Sequence, residues 1–450
     1  MKYDLTTGKI GKSLIVFSMP MILGNLLQQM YNVVDTLIVG KTIGSTALAA
    51  VGSSYSLMVL LTSIVLGLCM GSGVVFAQLY GAKKNESMKT SIFNAFVFIV
   101  IISAVINVLA YILLDKFIIW INIPVEAISF TEQYLKIIFG GMIFVAIFNF
   151  VSSVLRSIGN TLMPLAFLAV AAVTNIVLDI LFIIYFDMGV AGAALATVIA
   201  QGLSAILITI YFVLKGKDIC PNKSNMHFDK SLIGLVIHNS TLTAVQQSIM
   251  NLGILMVQGL VNSFGFAASA AFAVVVKIDA LSYMPAQDFG NAFATFVAQN
   301  YGANKLDRIK IGTKISMMIS AGFCILVSAF VCFFAEPLML IFIDATEVDT
   351  IQIGIQYLHI VGASYVGIGI LFLLYGLYRG IGKSQMSIVL TIISLGSRVL
   401  LAYILSSVST IGIVGIWWAV PIGWALADVF GIVYYFMKRN LFVQSKALEL

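Results

Sequence analysis

Asp35 and Asp179 each sit inside a long apolar run in the first half of the chain, and no Lys or Arg lies at matching depth in that half. A carboxylate in a low-dielectric interior must find a cation, take up a proton or reach water. Two such groups without a built-in partner make a seat for a mobile ion. Asn25, Gln28, Asn32 and Asp35 fall within roughly an 80° arc of one helix at about 100° per residue. This polar stripe on an otherwise lipid-like surface must face other helices or a water-filled cavity. Asn175 and Asp179 are one turn apart on one helical face, and Thr197 and Gln201 are one turn apart on the next. Together Asp35, Asn175, Asp179 and Thr197 offer two carboxylates, an amide oxygen and a hydroxyl, the oxygen donors that hard cations choose. Two nearby carboxylates in apolar surroundings also raise each other's proton affinity, so the set suits Na⁺ or H⁺. A purely structural reading, with the amides gluing helices together, leaves the acids unexplained.

The elements that must hold these groups are membrane spans. Of 450 residues 60% are hydrophobic and 10% charged, and mean hydropathy is +1.05. Soluble domains run at about 45–50% apolar and about 25% charged. Each span needs about 20 apolar residues. The runs predict an all-α integral membrane protein with twelve transmembrane helices at 13–39, 52–79, 91–114, 133–155, 162–185, 190–214, 232–263, 268–300, 311–334, 353–378, 386–407 and 412–437. The first run is too long for a signal h-region and is not followed by a cleavage pattern, so it reads as a signal-anchor and first span. With the N-terminus inside, 20 of the 25 Lys and Arg, from Lys2 to Arg439 and Lys446, fall in inner segments. Outer loops carry Asp115, Glu126, Asp187, Glu336, Asp344, Glu347 and Asp349. This bias obeys the positive-inside rule and predicts a multi-pass cell-membrane protein with both termini cytoplasmic. It also accounts for the net charge of +6 without a nucleic-acid partner. The four cysteines and three histidines form no disulfide framework or metal spacing.

The chain repeats itself. Gln78-Leu79-Tyr80-Gly81-Ala82 returns 221 residues on as Gln299-Asn300-Tyr301-Gly302-Ala303. Arg156-Ser157-Ile158-Gly159 returns 223 residues on as Arg379-Gly380-Ile381-Gly382, and Gly189 and Gly192 map to Gly412 and Gly415 at the same offset. Asn32 and Gly40 map to Asn251 and Gly259 at 219. A repeat of six spans enters the membrane twice in the same direction, which implies two six-helix bundles related by a pseudo-two-fold axis along the membrane normal. The bundles are expected at 1–214 and 232–450, joined by a basic cytoplasmic linker at 215–231. The copies differ in chemistry. The positions matching Asn175, Asp179 and Asp35 are Arg398, Ala402 and Ile254. In place of the acidic pair the second half holds Lys277, Asp279, Asp288, Arg398 and Asp428. These form either a structural ion-pair network or groups that handle substrate or protons. Lys277 and Asp279, two residues apart, point to different sides of one helix. Pro20 removes a backbone hydrogen bond inside the first run, as a hinge or as a tolerated first-turn proline, and Pro285 is similar.

No G-x-x-x-x-G-K-S/T phosphate loop, His-Glu-x-x-His or Gly-x-Ser-x-Gly motif is present, so there is no visible ATP engine and no enzyme constellation. Buried acids without a nucleotide site are most simply driven by an ion gradient. Pro20 followed by Asp35, the Gln-x-Tyr-Gly-Ala turn in both halves, and Asn175 with Asp179 then Thr197 give the chain its family likeness. Over essentially its whole length it resembles the multidrug and toxic compound extrusion (MATE) transporters, the DinF-like branch more than the NorM branch. The resemblance implies a V-shaped pair of bundles around a central cleft. It implies antiport, with amphipathic, often cationic organic compounds leaving in exchange for Na⁺ or H⁺ and with no cofactor. The coupling cation is then held at Asp35, Asn175, Asp179 and Thr197, and Gln28, Tyr31 and Asn32 lie where a drug cavity is lined. NorM-type members tend to use acids in the C-terminal half, where this chain has Gln246 and Gln247. The alternative is a flippase for a lipid-linked precursor, which calls for several deep cations, and only Lys277 and Arg398 are so placed. A passive channel would show a pore motif or an oligomeric ring, whereas the repeat points to a self-contained monomer whose partners are small molecules and the bilayer.

Overall fold

The computed structural model describes residues 3–120, 123 and 125–438; Arg439 and Lys446, counted above among the inner basic residues, lie outside the described residues. Among the described residues twelve helices are long and apolar enough to cross a membrane, and there is no β-strand. The first half comprises α1 (Ile10–Thr42), α2 (Ser45–Gly81), α3 (Asn85–Ile112), short α4 (Leu114–Trp120), α5 (Val125–Ser157), α6 (Leu162–Asp179), a π-helical turn at Ile180–Tyr185, and α7 (Gly189–Lys215). The second comprises α8 (Lys230–Asn262), α9 (Phe266–Gly302), α10 (Leu306–Phe333), short α11 (Ala335–Leu340), α12 (Val348–Ile360), α13 (Tyr365–Gly380), α14 (Ser384–Ser406) and α15 (Ile413–Met437). All twelve expected spans are present. The tenth, expected as one helix over 353–378, is α12 and α13 joined by a 3₁₀ turn at Gly362–Ser364. Hydropathy reads the length of an apolar run and is blind to such a local change of hydrogen-bond pattern.

The repeat is written in the backbone as well as the side chains. α1 and α8 both have 33 residues, α2 and α9 37, and α3 and α10 28. Lys83 and Asn304, which follow the two Tyr-Gly-Ala turns, are both left-handed at φ 58° and 55°. Gly159 and Gly382 close the two Arg-x-Ile-Gly turns at φ 84° and 77°. The left-handed region is disfavoured for most non-glycine residues and tolerated by asparagine, so the same backbone conformation at matching places marks a shared template.

Packing divides the chain into two units. One is Met19–Ala244 with the residues up to Asp4, and the other is Leu5–Ser18 with the residues from Val245 onward. The division runs through α1 beside Pro20 and through α8. In the first unit Val39 of α1, Ala47 and Val51 of α2, Tyr134 and Ile138 of α5, Ile183 of the π turn, and Val190, Ala193 and Ala194 of α7 form one buried cluster. α5 and α7 approach closely because residue 141 is glycine; a Cβ there would lie 2.5 Å from Val198 Cγ2. Small residues at such crossings are the usual means of helix contact in lipid.

In the second unit Phe272 of α9 stacks on Trp417 of α15 with centroids 5.7 Å apart, and Tyr357 of α12 meets both edge-on. The segment before α1 is tied down here. The Leu5 amide donates to Gln299 Oε1 at 3.2 Å, and Asn300 Nδ2 donates to Leu5 O at 3.1 Å. Arg308 donates to the carbonyls of Leu5 (3.2 Å), Thr7 (2.5 Å) and Gly8 (2.8 Å), and Lys305 to that of Thr6 (2.9 Å). The turn that the sequence repeats is thus, in its second copy, a cradle for this segment.

Candidate functional site

The buried cluster of the first unit gathers α1, α2, α5, the π turn that follows α6, and α7, and polar residues of α1, α6 and α7 meet next to it. Asp179 is the last residue of α6, where the helix loosens into the π turn; such insertions are frequent at functional sites. Asp179 is fully buried, Asn175 is 2% exposed and Asp35 is 9% exposed. The carboxyl groups of Asp35 and Asp179 lie within hydrogen-bonding reach of each other, yet Asp35 Oδ1 and both oxygens of Asp179 meet no donor. Asn175 Nδ2 donates to Thr197 Oγ1 at 3.3 Å, and Thr197 donates on to Ala193 O at 3.1 Å. That orientation leaves Asn175 Oδ1 without a donor. Among the described residues no Lys, Arg or His is within ion-pairing distance of either acid.

Asp35, Asn175, Asp179 and Thr197, picked from three separate stretches of sequence, therefore converge. Tyr31 lies within hydrogen-bonding reach of Gln28 and Gln201 and near Asp35 and Tyr55, so Gln28 and Tyr31 join the same polar assembly. Asn32 is half-buried and donates to Gln29 Oε1 at 3.4 Å. Sequence reasoning missed Tyr134 of α5, which is buried within electrostatic reach of both acids and of Tyr31. Its only advance signal is a hydroxyl in an apolar span. Removing carboxylates from water costs several kcal/mol per ion unless charge and lone pairs are met. The arrangement offers two facing carboxyls, a free amide oxygen and a hydroxyl oxygen. It can share one proton between the acids or wrap a small monovalent cation.

The second unit treats its acids differently. Asp279 accepts hydrogen bonds from Tyr357 Oη at 2.6 Å and Tyr365 Oη at 2.5 Å, with Arg398 and Tyr283 in electrostatic range. Lys277, on the other side of α9, is exposed, with Nζ 6.0 Å from the centroid of the Phe342 ring. Asp288 is buried elsewhere on α9. The two tyrosines were not legible as a pair. Eight residues of regular helix would set them about 80° apart, and the 3₁₀ turn between them re-aims one.

The MatE family model matches residues 20–181 and again 243–404. The chain belongs to the MatE family of membrane transporters. The two matches to this MatE chain are 223 residues apart, the offset already present in its turns. It is similar to the probable multidrug resistance protein YpnP of Bacillus subtilis, 31% identical over 394 residues and 87% of each chain. The multidrug export protein MepA of Staphylococcus aureus is 21% identical over 448 residues, 99% of this chain and 98% of its own. Among solved structures, a MOP superfamily transporter from Pyrococcus furiosus superposes with a TM-score of 0.92 at 21% identity over 98% of each chain, which establishes the fold.

Proposed function

We propose that this transporter is a secondary active antiporter of the cell membrane, with both termini cytoplasmic. It exports amphipathic, often cationic organic compounds in exchange for Na⁺ or H⁺ bound at Asp35, Asn175, Asp179 and Thr197. The observation that carries this reading is the pair of buried, facing carboxyls that no basic residue among the described residues neutralises. An external cation or proton completes that site, and its free energy of binding is available to favour one arrangement of the helices over another. Gln28 and Tyr31 stand beside the acids on α1, so a cationic compound at that face and a coupling cation compete for the same negative charge. The names carried by YpnP and MepA support a drug-like cargo.

The test is dye efflux from proteoliposomes under an imposed Na⁺ gradient and, separately, a pH gradient. Asp35→Asn and Asp179→Asn are each expected to abolish gradient-driven efflux, and drug resistance in a sensitive host, at unchanged membrane expression. Full transport by both variants would refute the proposal.

A further inference from the structure

Among the described residues, Asp428 of α15 has at its Oδ1 no counterpart of the two tyrosyl hydrogen bonds that hold Asp279. It is 7% exposed, its Oδ1 meets no donor, and among the described residues no basic group is within ion-pairing distance. The elements packed against α15 are α12, α13 and α14. From α13, Tyr375 lies within electrostatic reach of both Asp428 and Arg379. Arg379 is engaged elsewhere, with Nη2 donating to Asn291 Oδ1 at 2.9 Å and Nε to Tyr375 O at 3.3 Å. From α14, Arg398 lies against Gly423, more than a turn away along α15, in range of Asp279. From α12, Tyr357 is bonded to Asp279. At the repeat offset of 223 the first half has Ala205, so Asp428 has no counterpart there.

A polar file leads towards this acid. Ser384, Ser387, Thr391, Ser394 and Arg398 recur on α14 at alternating steps of three and four, which is one helical face, and all five are buried. Ser387 Oγ donates to Tyr375 O at 3.2 Å, and Thr391 Oγ1 donates to Ser387 O at 2.9 Å while lying within hydrogen-bonding reach of the Tyr375 side chain. Ser394 O approaches so near that a Cβ on Gly423 would lie 2.5 Å from it. Hydroxyls both donate and accept and rotate freely, so the file is suited to passing protons or ordering water. It begins at the end of α14 next to Lys383, on the cytoplasmic side by the positive-inside rule.

We propose that Asp428 is a second ionisable site of this transporter, holding an exchangeable proton that reaches it along the Ser/Thr face of α14. A carboxyl without a counter-ion in an apolar bundle is more stable protonated than charged. The step adds one proton from water to Oδ1 and later returns it to water, with no other bond made or broken. The proposal is independent of the Asp35–Asp179 reading.

Infrared difference spectra of the full chain in proteoliposomes, wild type minus Asp428→Asn, test it directly. The expected result is a protonated-acid carbonyl band, absent from the variant, that falls about tenfold per pH unit once above its midpoint. After a pH jump, Thr391→Val is expected to slow the response of that band several-fold. Wild-type and Asp428→Asn spectra that coincide at every pH would overturn the site, and an unchanged rate in Thr391→Val would overturn the route. Should Asp428→Asn fail to fold, carbodiimide labelling of the wild type decides. Label on Asp428 and not on Asp279 supports the site, and any other pattern overturns it.

Discussion

A buried carboxylate is informative through what surrounds it, and this chain shows three surroundings. Among the described residues, Asp35 Oδ1 and both oxygens of Asp179 meet no donor, Asp279 is held by two tyrosyl hydroxyls with a guanidinium in range, and Asp428 Oδ1 meets no donor and no basic group is within ion-pairing distance of it. Removing one member of a buried charge pair costs about 3–5 kcal/mol, whereas removing both is often close to neutral. Asp279→Asn and Arg398→Gln are therefore each expected to lower the melting temperature in detergent, and the double variant to recover most of the loss. Additive losses in that cycle would show that the two charges do not interact. The acids, the asymmetry between the halves and the opposed directions of Lys277 and Asp279 were all legible from residue type and spacing. The clasp of Asp279 by Tyr357 and Tyr365 was not, because it depends on which helices lie next to each other, and hydropathy carries no such information.

At the level of helices, the twelve spans and their repeat followed from hydropathy and turn motifs, while the breaks inside them did not. The π turn after Asp179 and the 3₁₀ turn between α12 and α13 both change the hydrogen-bond pattern without changing how apolar the segment is. α1 is one helix through Pro20, yet the two packing units divide beside that proline. Pro20 cannot donate to the carbonyl of Val16, and a proline inside a helix weakens it by about 3 kcal/mol. Pro20→Ala restores the bond and stiffens α1. It is expected to slow efflux several-fold in proteoliposomes while leaving drug affinity nearly unchanged; an undiminished efflux rate would remove Pro20 from the transport cycle.

For the molecule as a whole, the charge bias predicts that the loop after α7 faces the cytoplasm. Cys220 is in that loop, and partial burial pushes its thiol above the usual cysteine range. The thiolate is the reactive form, so labelling is expected to be slow at neutral pH and to accelerate as pH rises towards the raised value. A membrane-impermeant maleimide should reach Cys220 in inside-out vesicles and spare it in intact cells; labelling in intact cells would invert the topology. The cradle for the segment before α1 has a consequence for biogenesis. Leu5 and the Arg308 that grips it are 303 residues apart. At about 5–20 residues per second, the Leu5 segment waits roughly 15–60 s for its seat to be synthesised. Until then its carbonyls must be met by water or by the translocation machinery, and a fusion partner that folds at the amino end during that interval competes directly with completion of the second unit.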